Sequence, residues 1–552
     1  MFVRVKSTPF SPRQSVQIVA SERIGDKVTQ RIVRHVGIAM NDEELVKMKE
    51  LAEFIKAGLE EQSAPALFRP DELARMTIEG RKKADLSPDK PLRVDLKQLR
   101  EENRVVVGIH EIYGQLFDEL GFDRVVGDPL RQVKTAKAIK HLVMARIANP
   151  ASKRKSVIDL ERDFGVKLDL SAVYRTLDYI DEQSLELIQK KAWDAARGLF
   201  AEKIDVVFYD CTTLYFESFT EDELREKGLS KEHKFNETQV LLAMMVTRQG
   251  LPLGYRLYNG ATWEGHTLKD AIAHIEGMVE VDRVVFVTDS GLLSKDNLAV
   301  IEKSEKQYIV GARLKNQPES IKKQILDKGS YQQGDQMLLK EIALPGARRL
   351  LVNYTEKRAK KDAHDRQKAL DKLQKKINKS KNPESFISNT SHRRYLKIEN
   401  QQSVKIDEEK IRYAEQWDGL HGVITNINDM PAKDAFEHYC GLWQIEESFR
   451  LTKHDLRVRP IYHWTPRRIQ AHVAICFMAL VCIRHLSYRV KLQYQPLSPE
   501  IIRNELVHVQ QSILIHKTVG RRYGIPSKPT LLAKKIYQVM GEKLSSVPFL
   551  IA

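Results

Sequence analysis

The period of apolar and polar positions changes several times along the chain, and each change predicts a different kind of element. In the first forty residues, strand-like alternation surrounds Gly25-Asp26 and predicts a β-hairpin. An amphipathic pattern then predicts a helix from Asn41, a suitable N-cap, to about residue 61. The Pro-rich, charged stretch between about residues 63 and 100 is typical of a linker.

From residue 107 to 200 the apolar period is helical, and Gly or Pro residues divide it into short helices. Residues 131–160 hold eight Lys/Arg against one acid, Asp159. The segment SAVYRTLDYI, Ser171 to Ile180, has the form of the second helix of a helix-turn-helix. These features favour a DNA-contacting unit, with a solvated basic face as the alternative.

The period then becomes that of an α/β unit. The pattern predicts strands and helices in the order β-β-β-α-β-α-β, at residues 204–209, 239–247, 252–258, 266–279, 283–288, 294–302 and 308–312. Three antiparallel strands followed by two parallel ones is the order of an RNase H-like core. The sequence therefore predicts that fold for this part of the chain.

An interruption follows the predicted core. Short strands at 337–342 and 349–354 precede a long polar helix at 356–378. A strand returns at 422–426, a strong helix covers 432–453, and an apolar helix covers about 467–489. The predicted fold class is α/β, with a core interrupted by a β-rich insertion and preceded by a β-hairpin and a helical DNA-binding region.

These patterns divide the chain into seven segments. They are an N-terminal hairpin and helix, a linker, a helical DNA-binding region, the first part of the core, a basic β/α insertion, the second part of the core, and a C-terminal helical tail, at residues 1–65, 66–106, 107–200, 201–330, 331–414, 415–495 and 496–552.

Charge narrows the class of partner. In 552 residues, Lys and Arg number 90 against 74 Asp and Glu, a net charge of +16. Residues 351–400 carry 14 Lys/Arg and 6 Asp/Glu, which is half of that net charge. Such an excess favours a polyanion, and nucleic acid first.

The sequence also indicates a compartment. It opens without an apolar signal segment, and its most apolar run, Ala471 to Ile483, is shorter than the ~20 residues that a bilayer span needs. The four scattered cysteines are expected to be reduced core thiols. We therefore expect a cytoplasmic protein that makes no contact with a membrane.

Two aspartates follow apolar strands of the predicted core. Asp210 comes after IDVVFY and Asp289 after RVVFVT. A carboxylate at the end of a buried strand is partly desolvated, and a metal ion is a common way to neutralise it. Alone, either residue is more often a turn or cap, but the pair on the first and fourth core strands favours a metal site.

A pair of ions needs a further acid, and the helix HYCGLWQIEESFRLTK supplies one. Helical spacing places an aromatic hydroxyl, an acid and two cations on one stripe, together with Trp443 or Leu442; the first four are Tyr439, Glu446, Arg450 and Lys453. Glu447 and Glu437 are rival candidates for the acid.

With these motifs, the chain resembles the DDE transposases of bacterial insertion sequences. The shared features are Asp210 in YDCTT, Asp289 in TDSG, the β-containing interruption and the Glu helix. The resemblance is to the group whose Glu helix carries a Tyr-(2)-Arg-(3)-Glu-(6)-Lys signature, and it covers roughly residues 200–490. That signature falls on Tyr439, Leu442, Glu446 and Lys453, so Leu442 replaces the Arg.

The resemblance implies a mechanism. Asp210, Asp289 and Glu446 would bind two Mg²⁺ ions, with Mn²⁺ able to substitute, for in-line transfer of a DNA phosphoryl group. Tyr439 and Lys453 would contact DNA phosphates, and Trp443 on the same stripe is our own candidate for a DNA contact.

Two further residues are expected to contact DNA, although the resemblance does not imply it. Arg450 would supply the cation missing at Leu442, or else form an intrahelical pair with Glu446. Trp417 in EQWDG would stack on an unpaired base, although a lone Trp before a strand is more often a core residue.

The first functional hypothesis is a transposase that cuts element ends and joins them to target DNA. Its partners would be double-stranded DNA, as terminal inverted repeats and target, and a second copy of the chain in a homodimer on DNA. The protein would be bacterial and nucleoid-associated when bound. The alternatives are a catalytically silent, transposase-derived DNA-binding protein and an RNase H-like structure-specific nuclease.

Overall fold

The computed structural model describes most of the chain, namely residues 1–7, 14–24, 27–39, 42–61, 94–126, 129–199, 206–217, 220–228, 236–278, 285–289, 295–334, 337–379, 394–400 and 403–551. The predicted turn at Gly25-Asp26, the N-cap Asn41 and most of the predicted linker lie outside these residues. Two compact units make up the chain. The first comprises Met1–Val105, Gln510–Lys528 and Ser545–Ala552, and the second comprises Val106–Val509 and Pro529–Leu544.

The described helices are numbered in chain order. They are α1 Asp42–Glu61, α2 Gly108–Glu119, α3 Pro129–Ala148, α4 Lys153–Phe164, α5 Leu170–Asp178, α6 Glu182–Leu199, α7 Thr267–Met278, α8 Lys295–Lys303, α9 Glu319–Leu326, α10 Glu356–Lys379, α11 Glu408–Glu415, α12 Ala432–Cys440, α13 Trp443–Arg450, α14 Pro466–Gln493, α15 Pro499–Val507 and α16 Leu531–Val539.

The described strands form four sheets. They are β1 Phe2–Ser7, β2 Gln14–Ile24, β3 Lys27–Ala39, β4 Leu99–Val106, β5 Val206–Tyr215, β6 Gln239–Thr247, β7 Pro252–Asn259, β8 Val285–Thr288, β9 Gln307–Gly311, β10 Gln332–Gln333, β11 Leu338–Leu344, β12 Arg348–Tyr354, β13 Leu396–Asn400, β14 Ser403–Ile406, β15 Leu420–Thr425, β16 Gln510–His516, β17 Arg522–Pro526 and β18 Phe549–Ile551.

The second unit is mixed α/β and is built around a nine-stranded sheet with the order β10-β11-β12-β15-β9-β8-β5-β6-β7. Within it, β5, β6 and β7 are antiparallel, whereas β5, β8 and β9 are parallel. Helices α7 and α8 connect β7 to β8 and β8 to β9. This is the element order and strand pairing predicted for the core.

The strands of the expected insertion extend the same sheet. Strand β12 pairs with β15, which pairs antiparallel with β9, so β10 to β12 continue the sheet at its far edge. Leu350 and Val352 on β12 are buried and belong to the hydrophobic cluster that also contains Val207 and Tyr209 of β5. The sequence shows short strands here, but it does not show that their partner is a strand about seventy residues further on.

The central strands have two buried faces. On β5, Val206 and Phe208 pack against α14 and the helices before the sheet, while Val207 and Tyr209 pack against α7 and α8. Helix α14 is long and apolar enough to cross a membrane by length and composition. In this structure 94% of its most apolar window is buried inside the protein, so it acts as a core helix.

The first unit contains two smaller sheets. Strands β1, β2 and β3 form one, with β2 and β3 paired antiparallel. In the other, β4 lies beside β16, followed by β17 and β18.

Two of the predicted segments contain strands that were not expected. Residues 99–106 form a strand where a linker was expected, and the C-terminal tail contains three strands as well as two helices. The partner of β4 lies some four hundred residues away, so the local pattern gave no sign of the pairing.

Candidate active site

Asp210 and Asp289 lie on neighbouring parallel strands. Phe208 on β5 is opposite Val287 on β8, and continuing this register by two residues places Asp210 level with Asp289. Asp289 directly follows β8, as predicted, and is exposed. Asp210 does not end its strand, because β5 continues to Tyr215 in antiparallel pairing with β6. Its half-buried side chain instead accepts a hydrogen bond from the Cys211 amide at 2.8 Å.

The predicted helix at 432–453 is divided. Helix α12 ends at Cys440, α13 begins at Trp443, and a π-helical turn follows at Leu451–Asp455. The break contains Gly441, where an added Cβ would collide with the ring of Phe208. The missing side chain therefore lets the helix approach β5 closely, two residues from Asp210.

Helix α13 presents its acid to solvent. Ile445, Ser448 and Phe449 are buried and face the sheet, whereas Glu446 is exposed. Glu446, Asp210 and Asp289 line one open cleft of about 810 Å³. The rivals Glu437 and Glu447 do not line it. Among the described residues, no three His, Cys, Asp or Glu side chains are grouped as closely as a metal site.

Tyr439 connects α12 to this carboxylate pair. Its hydroxyl donates a hydrogen bond to Oδ1 of Asp289 at 3.3 Å. Burial and the Asp289 carboxylate raise the pKa of Tyr439 above its usual value, so the phenol stays protonated and remains a donor. The Tyr439 side chain therefore holds Asp289 at the cleft.

Helix α10 also contributes to the cleft. From its first turns come three cations, Lys357, Arg358 and Lys361, and two acids, Asp362 and Asp365. The sequence indicated that this helix is basic, but its contribution to the cleft depends on the strand pairing that places β12 before it. Burial, together with the nearby Arg358 guanidinium, lowers the pKa of His421 to about 4, so this cleft residue is neutral at pH 7.

Arg450 and Lys453 do not line the cleft. Arg450 donates a hydrogen bond to Asp455 at 3.3 Å and lies 3.8 Å from a Glu447 oxygen. Arg450 was expected to pair with Glu446, but the α13 carboxylate near its guanidinium is that of Glu447. The π-helical turn after Arg450 changes the angular position that a continuous helix would give to Lys453.

The two tryptophans predicted to contact DNA have different environments. Trp443 is exposed and lines the cleft, which suits stacking. Trp417 is buried in the core against the ring of Tyr413, and this position favours its core role over base stacking.

The expectation that all four cysteines are core thiols is wrong for Cys440, which is exposed and lines the cleft. Cys211, Cys476 and Cys482 are buried free thiols, as expected.

Comparison with known families adds to this geometry. The family described as Transposase DDE domain matches residues 201–482, more than half of the chain. The chain belongs to the transposase DDE domain family. The match begins just before β5 and includes Asp210, Asp289 and Glu446. No curated protein matches the chain.

Solved structures give weaker likenesses. The piggyBac transposase in a synaptic complex with hairpin DNA is 9% identical with a TM-score of 0.37, over 72% of this chain and 76% of that one. The Mos1 transposase in a paired-end complex with the left transposon end is 11% identical with a TM-score of 0.15, over 47% and 76%. Likenesses at this level do not establish a common fold.

Proposed function

We propose that the protein is a transposase that cleaves DNA at the ends of an insertion sequence and joins those ends to target DNA. The observation that carries the proposal is one cleft lined by Asp210, Asp289 and Glu446 in a transposase DDE domain. The strand order of its central sheet supports an RNase H-like core.

The donor set in the cleft fits a hard divalent cation. Among the acids that line it, Asp210, Asp289 and Glu446 offer carboxylate oxygens, which Mg²⁺ prefers and Mn²⁺ accepts. When bound, two such ions would stabilise the attacking and leaving oxygens of an in-line phosphoryl transfer. Asp210, Asp289 and Glu446 would hold them, and Tyr439 would orient Asp289 through its hydrogen bond.

DNA would lie between α13 and α10. Lys357, Arg358 and Lys361 supply positive charge for phosphates, and the exposed indole of Trp443 supplies a stacking surface. Both ends of an element need a catalytic centre, so we propose a homodimer on DNA. The compartment would be the bacterial cytoplasm.

A plasmid carrying the DNA that flanks the gene tests this function. The purified full-length chain should excise the segment bounded by imperfect inverted repeats and join it to target DNA in Mg²⁺ or Mn²⁺, and excision should stop with EDTA. Binding to the repeats without cleavage would instead indicate the catalytically silent protein. Cleavage of branched substrates without preference for the repeats would indicate the structure-specific nuclease.

We propose that Arg358 supplies the cation missing at Leu442. Both residues line the cleft, and the Arg358 charge acts on His421 and Tyr439, beside Asp289. Arg358→Ala is expected to weaken binding of a pre-cleaved end about tenfold to a hundredfold, since a hydrogen bond to a charged group contributes about 1.5–3 kcal/mol. Titration in Ca²⁺ measures this affinity without turnover.

Leu442→Arg should restore part of the affinity lost in Arg358→Ala, because it returns a cation to the same cleft. Lys360→Ala is the matched control, because this exposed lysine lies on the same helix but does not line the cleft. Arg450→Ala should change end affinity little, because Arg450 does not line the cleft. A large loss in Arg450→Ala with none in Arg358→Ala would return the role to Arg450.

A further inference from the structure

A second concave site lies outside the catalytic cleft, where α4 begins. It is a pocket of about 320 Å³ between the α3–α4 junction and the loop that follows the Glu helix. No Asp or Glu lines the pocket. Its lining includes five Lys or Arg residues, namely Arg146, Lys153, Arg154, Arg457 and Arg459. A concave surface of one charge sign concentrates ions of the opposite sign.

Lys153 is buried in this pocket without a carboxylate. Its side chain is 4% exposed, and in the described part of the chain its one hydrogen bond is to Nδ1 of His472, at 3.4 Å. The other ring nitrogen, Nε2, lies 3.0 Å from the Val458 carbonyl oxygen, which can only accept. Nε2 therefore carries the proton, and neutral Nδ1 accepts from the ammonium.

Neighbouring groups do not neutralise this charge. Arg146 is 3% exposed and donates to the backbone carbonyls of Ala151, Leu456 and Arg457, so it adds a second buried cation. Burial and Arg146 lower the pKa of Lys153 to about 7. Because a buried charge without a counter-ion is costly, the site is expected to gain stability from an anion.

The backbone adds to the attraction. Ser152 caps α4, a helix of twelve residues, and the pocket is lined by Ser152, Lys153 and Arg154 at its N-terminal end. The free amides and the helix dipole at such an end favour a negatively charged group, phosphate in particular.

We propose that this pocket binds a phosphate of the DNA backbone, separately from the catalytic cleft. The loop that forms one wall reaches the catalytic sheet, since the Ile461 amide donates to the Tyr215 carbonyl at 3.4 Å and Arg459 lies over the Tyr215 ring. Tyr215 is five residues beyond Asp210 on β5, about 17 Å along the strand. One duplex can span that offset with about five base pairs. The choice of DNA as the source of the phosphate rests on the proposed function.

Lys153→Met tests the pocket, because it removes the charge and keeps the length of the side chain. Binding of a short random duplex without Mg²⁺ should weaken about tenfold, and the slope of log affinity against log salt should fall in magnitude by about 0.9. Inorganic phosphate should raise the thermal midpoint of wild type relative to chloride at equal ionic strength, and Lys153→Met should lose this increment. Lys534→Met, an exposed lysine on α16, is the charge-matched control and should change neither.

The possible outcomes are distinct. If phosphate stabilises only the wild type but duplex affinity and slope are unchanged in Lys153→Met, the pocket takes free phosphate and the DNA assignment is wrong. If neither measurement differs from Lys534→Met, the pocket is not an anion site. Arg154→Ala, at an exposed helical position, carries the same test if Lys153→Met fails to fold. None of these measurements requires cleavage, so a failure of the proposed catalysis would not alter them.

Discussion

Each of the substitutions Asp210→Asn, Asp289→Asn and Glu446→Gln is expected to slow Mg²⁺-dependent strand cleavage by at least about a hundredfold. Loss of a group that only orients a metal ligand costs about tenfold to a hundredfold, so loss of a ligand itself should cost more. Binding of element ends should be largely retained, because the phosphate contacts are assigned to other residues. Single-turnover cleavage and a gel-shift titration on the same duplex separate the two effects.

Glu447→Gln is the matched control for the acid. Glu447 is adjacent to Glu446 but does not line the cleft, and one of its oxygens accepts a hydrogen bond from Arg484 at 2.9 Å. We expect Glu447→Gln to lower the free energy of unfolding and to change the cleavage rate of the folded fraction little. Retained cleavage in Glu446→Gln together with loss in a folded Glu447→Gln would show that the wrong acid was chosen.

The core could be predicted from the sequence because its strands and helices carry strong local patterns. The apolar runs before Asp210 and Asp289 predicted two central strands, and both aspartates do line the cleft. The end of β5 could not be predicted in the same way. Thr212 and Thr213 are polar but buried, and pairing with β6 extends the strand beyond Asp210.

The interrupted Glu helix was harder to predict, for a physical reason. A glycine within a helical pattern does not by itself locate a break. Here the deciding contact is between Gly441 and Phe208, on a strand more than two hundred residues earlier. The same limit explains why the sequence selected Arg450, which follows helical spacing, and missed Arg358, which reaches the cleft through tertiary structure.

The helical region before the sheet illustrates another limit. Its charge suggested a separate DNA-binding segment, but Ile109, Phe117 and Ile188 share one continuous core with α14 and one face of the central sheet. Removal of residues 1–200 would therefore expose that core. Its role in binding is better tested by point substitutions, as at Lys153.

Arg484→Ala is expected to lower the free energy of unfolding by about 3 kcal/mol, because it breaks a mostly buried ion pair and leaves its partners unsatisfied. From α14, Arg484 donates to Glu447 and Gln444 on α13, at 2.9 and 2.7 Å, and to the Gly250 carbonyl at 2.7 Å. A Cβ at Gly250 would collide with this guanidinium, so the β6–β7 turn needs glycine at this position to accommodate Arg484. Chemical denaturation followed by circular dichroism measures the loss.

Arg489→Ala is the matched control on the same helix. Arg489 pairs with Glu119 at 2.7 Å, but the two side chains are 22% and 36% exposed, against 9% and 25% for Arg484 and Glu447. An exposed pair contributes only about 0–1 kcal/mol, so Arg489→Ala should cost much less. Because Arg484 fixes the helix that carries Glu446, cleavage by the folded fraction of Arg484→Ala should also fall, while Arg489→Ala keeps its rate. Equal losses of stability in both variants, with cleavage intact, would show that Arg484 does not hold α13 in place.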